Sequence, residues 1–68
     1  MRNIAISTSL EKRLIPFLDS QLFYMINEVD SPEDYSDDIT ACIELLRSLG
    51  RDATADRWQT AYEREAAA

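Results

Sequence analysis

The sequence predicts an all-α fold, a small three-helix bundle in which helix one is kinked or broken near Pro16. Helix-capping and turn residues divide the chain into three segments, and the apolar residues of the middle segment recur at steps of three and four. The residues of that repeat are Tyr35, Ile39, Cys42, Leu45, Leu46 and Leu49. This spacing predicts one buried helix face, which the other two segments have to cover.

The first segment is expected to begin as an extended arm over residues 1–7 and to continue as a helix from about Ser9 to Glu28. Thr8 and Glu11 fit a capping box, in which the hydroxyl and the carboxylate each accept a hydrogen bond from a free amide at the helix start. Pro16 falls about two turns into this helix. Because proline has no amide hydrogen and crowds the preceding turn, we expect a kink or a break there.

The second helix is predicted from Pro32 to Leu49. Ser31 is the expected N-cap, and Pro32 suits the first helical position because the amide it lacks has no partner inside a helix. The acidic residues that follow interact favourably with the positive end of the helix dipole. Gly50 is suited to the left-handed conformation that ends many helices.

The third helix is predicted from Ala53 to about Glu65, with Asp52 as its N-cap and residues 66–68 as a frayed end. Such a short turn after the second helix makes these two helices neighbours. The whole chain, residues 1–68, is therefore expected to be one domain of three antiparallel helices. The predicted core consists of Leu14, Leu18, Leu22, Met25, Ile39, Cys42, Leu46, Leu49, Trp58 and Tyr62.

Composition argues against several classes of function. Thirteen acidic and seven basic residues give a net charge of −6, which repels a nucleic-acid backbone. Cys42 is the single cysteine and histidine is absent, so an internal disulfide cannot form, and we expect neither a metal ion nor a cofactor. The longest apolar runs have five residues, too few to cross a bilayer, and Ser7 ends the apolar start too soon for a secretory signal. These features predict a cytoplasmic protein that does not enter a membrane.

Acidic residues are concentrated in one part of the chain. Between Leu14 and Leu46 there are eight acids and no basic residue. On a helical plot Glu33, Asp37 and Glu44 fall within a narrow arc opposite the apolar face, spaced by about 6 and 10 Å along the axis, which is of the order of the phosphate spacing in a nucleic acid. The predicted partner-binding acidic face comprises Glu33, Asp37, Glu44, Asp30 and Asp34. The alternative interpretation is the ordinary solvated side of an amphipathic helix.

Helix one has more apolar surface than one packing contact needs. Its apolar residues occupy an arc wider than half the helix, and Phe23 projects outside this arc. A domain of 68 residues has a small core, which commonly requires support from a partner. We therefore predict that Phe17, Phe23 and Tyr24 contact a second copy of the chain, as in a homodimer or other homo-oligomer, or another protein.

The sequence contains no catalytic constellation, because neither Cys42 nor any serine has a histidine to activate it, and an enzyme is not expected. The predicted function is a small acidic protein-binding module, such as an inhibitor, an immunity protein or an antitoxin, that occludes a basic or nucleic-acid-binding surface of its target. The alternative is a helix-turn-helix regulator that binds nucleic acid through helices two and three. In that case Arg57, Gln59, Thr60 and Arg64 would lie on the recognition helix.

Overall fold

The fold is all-α, and the three predicted helices are present. A computed structural model describes residues 7–67, and no strand occurs among them. Its α-helices are α1 (Thr8–Phe23), α2 (Ser36–Ser48) and α3 (Asp52–Ala67). The predicted arm lies outside the described residues except for Ser7, and so does Ala68 of the predicted frayed end.

Helix α1 begins one residue earlier than predicted. The hydroxyl of Ser7 accepts a hydrogen bond from the amide of Leu10 at 3.2 Å, so the N-cap is Ser7 and the prediction of Thr8 was wrong. The side chain of Glu11 does not close a capping box; instead its Oε2 accepts a hydrogen bond from Nη2 of Arg51 at 3.0 Å. Ser7 and Thr8 both carry a hydroxyl group that can cap a helix. The sequence favoured Thr8 because Glu11 follows it at the spacing of a capping box, but the carboxylate of Glu11 binds Arg51 instead.

Helix α1 is not broken at Pro16, and the irregular turn lies eight residues later, in a π-helical segment (Tyr24–Glu28). Pro16 is on the exposed side of the helix, so the carbonyl left without an amide partner can be hydrated by water. In the π-helical segment each amide bonds one residue further back than in an α-helix, which widens the turn. The adjacent residues Met25 and Ile26 are both buried there.

The predicted second helix consists of two parts. Residues Pro32–Tyr35 form a 3₁₀-helix, and only from Ser36 does the chain become α-helical. Pro32 occupies the first helical position as predicted, and the carbonyl of Ser31 accepts a hydrogen bond from the amide of Asp34 at 3.0 Å. The hydroxyl of Ser31 makes no capping hydrogen bond, so the role predicted for that side chain is not observed.

A Schellman motif ends α2. The amide of Gly50 donates to the carbonyl of Arg47 at 3.0 Å, and the amide of Arg51 donates to the carbonyl of Leu46 at 2.9 Å. Gly50 has φ +80°, the left-handed conformation that the sequence predicted for it. Asp52 is already the first residue of α3 rather than its N-cap, a difference of one residue from the prediction.

The core lies where α2 packs against α1 and α3, and α3 also contacts the π-helical segment. Five predicted core residues are buried: Leu18, Leu22, Met25, Ile39 and Leu46. Five others are half-buried and pack against them: Leu14, Cys42, Leu49, Trp58 and Tyr62. The prediction omitted three residues that are buried: Ile26, Ile43 and Ala55. Ile43 lies four residues after Ile39 and three before Leu46, so the same spacing includes it, and the prediction omitted it although the pattern did not exclude it.

Candidate interaction surfaces

The five residues of the predicted acidic face are all exposed, and we call them the acidic surface: Asp30, Glu33, Asp34, Asp37 and Glu44. Asp37 and Glu44 lie seven residues apart on α2, so they share one side of that helix at about 10 Å along its axis. Glu33 lies in the 3₁₀-helix, where each residue turns and rises more than in an α-helix. The predicted stripe assumed a continuous α-helix, and its regular spacing therefore holds only from Asp37 to Glu44.

The acidic surface has no basic neighbour within ion-pair distance among residues 7–67. The two salt bridges in that part of the chain join Arg47 to Asp56 at 2.8 Å and Arg51 to Glu11 at 3.0 Å. Both pairs use acids from α1 or α3, so no salt bridge within residues 7–67 neutralises the charge of the acidic surface. An exposed cluster of like charges produces a negative potential that extends over roughly a Debye length, about 8 to 10 Å near physiological salt.

The apolar residues predicted to meet another chain are exposed as well. The exposed fractions are 57% for Phe17, 50% for Phe23 and 52% for Tyr24. They do not all point the same way. Seven residues separate Phe17 from Tyr24, the first residue of the π-helical segment, so these two lie within about 20° of each other on a helical plot, whereas Phe23 is turned by about 100° from Tyr24. Leu10, which the prediction omitted, is 53% exposed and lies a further seven residues before Phe17. The periodicity of seven was the signal in the sequence that identifies this line.

A third surface lies on α3. Arg57, Thr60 and Arg64 are exposed and, with Asp56 and Ala61, line a shallow open depression of about 420 Å³. Gln59, which the nucleic-acid-binding alternative placed on the recognition helix, is half-buried. Its Nε2 donates to Oε2 of Glu63 at 2.9 Å, so this amide group is already engaged within α3. The turn between α2 and α3 comprises three residues, 49–51, a length suited to a helix-turn-helix.

Cys42 is half-buried on α2 and forms no disulfide. Burial raises the pKa of its thiol, and the carboxylate of Asp38, one helical turn earlier, raises that pKa further. A raised pKa reduces the thiolate fraction at neutral pH and therefore makes the sulfur a poor nucleophile. Among residues 7–67 no group of histidine, cysteine or acidic side chains is arranged to hold a metal ion.

Comparison of the sequence with protein-family models, with curated proteins and with solved structures found no match. In the described part of the chain no helix is long and apolar enough to cross a membrane.

Proposed function

We propose that this protein is a small acidic binding module that occludes a basic surface of a target protein, in the manner of an inhibitor, an immunity protein or an antitoxin. The observation that carries the proposal is the acidic surface, whose five carboxylates are exposed and form none of the described salt bridges. Carboxylates that form no salt bridge with the described residues 7–67 can bind arginine and lysine side chains of another protein.

The acidic surface extends over a 3₁₀-helix and an α-helix and has an aromatic residue beside it. Asp37 and Glu44 are held on a regular helix, while Glu33 and Asp34 lie on the 3₁₀-helix that precedes it. The nearby Tyr35, which the sequence wrongly placed on the buried face of helix two, is exposed at the end of the 3₁₀-helix and offers an aromatic group beside the charges. Aromatic residues are enriched at the centre of protein interfaces, where they exclude water from neighbouring polar contacts.

Binding of a basic partner should require the acidic surface itself, and a control variant with the same net charge separates this requirement from an effect of overall charge. The test variant replaces Glu33, Asp37 and Glu44 by their amides, and partners are captured from a lysate of the source cells. We expect the wild-type protein to retain a basic partner that the variant loses. With the captured partner, the association rate of the wild type should fall steeply with salt, because charge attraction accelerates encounter.

The matched control replaces Asp52, Glu63 and Glu65 of α3 by their amides. These residues are also exposed, so the control has the same net charge as the test variant while leaving the acidic surface intact. The control should bind like the wild type. Equal binding by wild type, control and test variant would contradict the proposal, and so would equal loss by the two variants, which would indicate an effect of net charge alone.

A second candidate function is nucleic-acid binding through α2 and α3. One observation favours it: Arg57, Thr60 and Arg64 line the same open depression, on a helix that follows a three-residue turn. The net charge of −6 opposes it, and so do Asp52 and Asp56 in the first turns of α3, where a recognition helix normally contacts the bases.

A titration with duplex DNA at low salt separates the two candidates. The binding module should show no appreciable affinity for DNA. Affinity that falls steeply with salt, and that is lost on replacing Arg57 and Arg64 by alanine, would instead support the nucleic-acid-binding function.

A further inference from the structure

Leu10 and Phe17 of α1 and Tyr24, the first residue of the π-helical segment, form an apolar line with heptad spacing that turns by about 40° around the helix, and we call this line the α1 ridge. Steps of seven residues correspond to about 10 Å each, so the ridge is about 21 Å long. Each of the three side chains is half-exposed or more, although each is large and apolar or aromatic. A line with heptad spacing, slowly turning around the helix, has the form of the contact that one helix offers to another.

One end of the α1 ridge has a hollow beside it. Ser7, Ser9, Leu10 and Arg13 line an open depression of about 270 Å³ at the start of α1. Tyr24 projects at the other end of the ridge, 14 residues away. In an antiparallel pair of α1 helices centred on Phe17, residues 10 and 24 lie at the same height, so each Tyr24 would meet the depression of the other copy.

Charge also favours the antiparallel orientation. Arg13, about 40° from Phe17 on a helical plot, takes part in no salt bridge among residues 7–67, and neither does Lys12, which lies about 140° from Phe17 and adds only to the overall charge of that end. Glu28 and Asp30 lie beyond the other end of the ridge, and they too are exposed and outside the described salt bridges. An antiparallel arrangement brings the basic end of one copy towards the acidic end of the other at both ends, whereas a parallel arrangement brings like charges together.

We propose that two copies of this protein pair through the α1 ridge, with the helices antiparallel about a twofold axis at Phe17. The two Phe17 rings meet at the axis. Each Tyr24 enters the depression beside Leu10 of the other copy, where the guanidinium of Arg13 can lie against its ring. The two-fold arrangement uses the same surface on both copies and closes at two subunits. This inference does not depend on the proposed function of the acidic surface.

The area of the α1 ridge sets the expected strength of the dimer. A half-exposed aromatic residue has roughly 100 Å² left to bury, so the ridge supplies roughly 300 Å² per copy. Stable interfaces bury about 800 Å² per partner, and flanking residues make up only part of the difference. The dimer is therefore concentration-dependent, and its mass has to be measured over a wide range of concentration.

Sedimentation velocity of the full chain, from low micromolar to several hundred micromolar, tests the pairing. Wild type should pass from monomer to dimer over this range. Phe17→Glu should raise the dissociation constant by at least about a hundredfold, because it places two carboxylates at the axis and removes apolar contact area. Phe23→Glu is the matched control, since Phe23 is about half-exposed like Phe17 but turned away from the ridge, and this variant should dimerise like the wild type.

A wild type that stays monomeric at every concentration would overturn the proposal. Equal effects of Phe17→Glu and Phe23→Glu would do so too, because the contact would then not be the ridge. Far-ultraviolet circular dichroism checks that both variants remain helical, which we expect because neither side chain belongs to the buried core.

Disulfide cross-linking under mild oxidation tests the orientation, with Cys42→Ala as background. Phe17→Cys should cross-link with itself because the residue lies on the axis. Leu10→Cys alone should not cross-link, but a mixture of Leu10→Cys and Tyr24→Cys chains should. Self-linking of Leu10→Cys without linking in the mixture would indicate parallel helices and refute the antiparallel pair.

Discussion

The indole Nε1 of Trp58 donates a hydrogen bond to Oδ1 of Asp19 at 2.9 Å, which joins α3 to α1 across 39 residues of sequence. Both residues are half-buried, so water only partly competes for the contact. The acceptor belongs to a carboxyl side chain, and hydrogen bonds to ionised carboxylates are shorter and stronger than those between neutral groups. This contact ties the first and last helices together.

Asp19→Ala should lower the free energy of unfolding by about 1 to 2 kcal/mol, because it leaves the half-buried indole N–H of Trp58 without its acceptor. Asp19→Asn should cost less, since an amide oxygen can still accept the bond. Trp58 is the only tryptophan, so its fluorescence reports both the local environment and the urea-induced transition. Asp30→Ala removes an exposed acid of the same type and should leave stability within about 0.5 kcal/mol of the wild type.

The identity of the helices could be predicted from the sequence because it depends on local information. Periodicity, Pro32 at a helix start and Gly50 after a helix end are signals that lie within a few residues of the elements they define. The details that were missed depend on residues far apart in the chain. The carboxylate of Glu11 is held by Arg51, and the indole of Trp58 binds Asp19, so neither role follows from neighbouring residues.

The exposure of individual residues could be predicted more completely than the surfaces that those residues form together. The acidic surface and Phe23 are exposed, as their positions on a helical plot indicated, and Phe17 and Tyr24 are exposed as expected from the excessive width of the apolar arc that contains them. The plot could not indicate how much of a broad apolar arc the other helices cover. They cover the middle of the arc around Leu18 and Leu22 and leave its edge, with Leu10 and Phe17, exposed.

Replacing Gly50 by alanine should destabilise the fold by about 1 to 2 kcal/mol. The cost comes from the backbone, since φ is +80° and a Cβ atom would meet nothing within 4 Å. Gly50→Asn should cost less, because asparagine tolerates the left-handed conformation. Urea denaturation of the two variants provides the comparison, and equal losses would show that space rather than conformation limits this position.

Ile43→Ala tests a core residue that the predicted core omitted. Ile43 is 3% exposed, so the substitution removes buried atoms and leaves a cavity, at a cost of about 2 to 4 kcal/mol. Total stability for a domain of this size is roughly 3 to 10 kcal/mol, so the variant should be close to unfolding at 37 °C. Leu45→Ala removes a half-buried side chain from the same helix and should cost clearly less in a thermal melt.

The salt bridge between Arg47 and Asp56 should contribute little to stability although its atoms are 2.8 Å apart. Asp56 is 68% exposed, so water and salt screen the attraction. A double-mutant cycle with alanine at both positions should give a coupling of about 0.2 to 1 kcal/mol that decreases as salt is added. A coupling well above this range that does not respond to salt would show that the pair is more shielded than its exposure indicates.

Cys42 should react slowly with iodoacetamide at neutral pH. Burial and the carboxylate of Asp38 both raise the pKa of the thiol, and the thiolate is the reacting form. Asp38→Asn should accelerate the reaction because it removes a charge that raises this pKa, whereas Asp37→Asn is the matched control and should have a smaller effect.

The raised pKa of the Cys42 thiol also makes stability depend on pH. Because the raised pKa belongs to the folded state, the unfolded thiol ionises first as pH rises. The stability contributed by Cys42 is therefore present at pH 7 and declines above about pH 9. Urea denaturation at pH 7 and pH 10 should show this decline in the wild type relative to Cys42→Ala, and an identical pH dependence in both would contradict it.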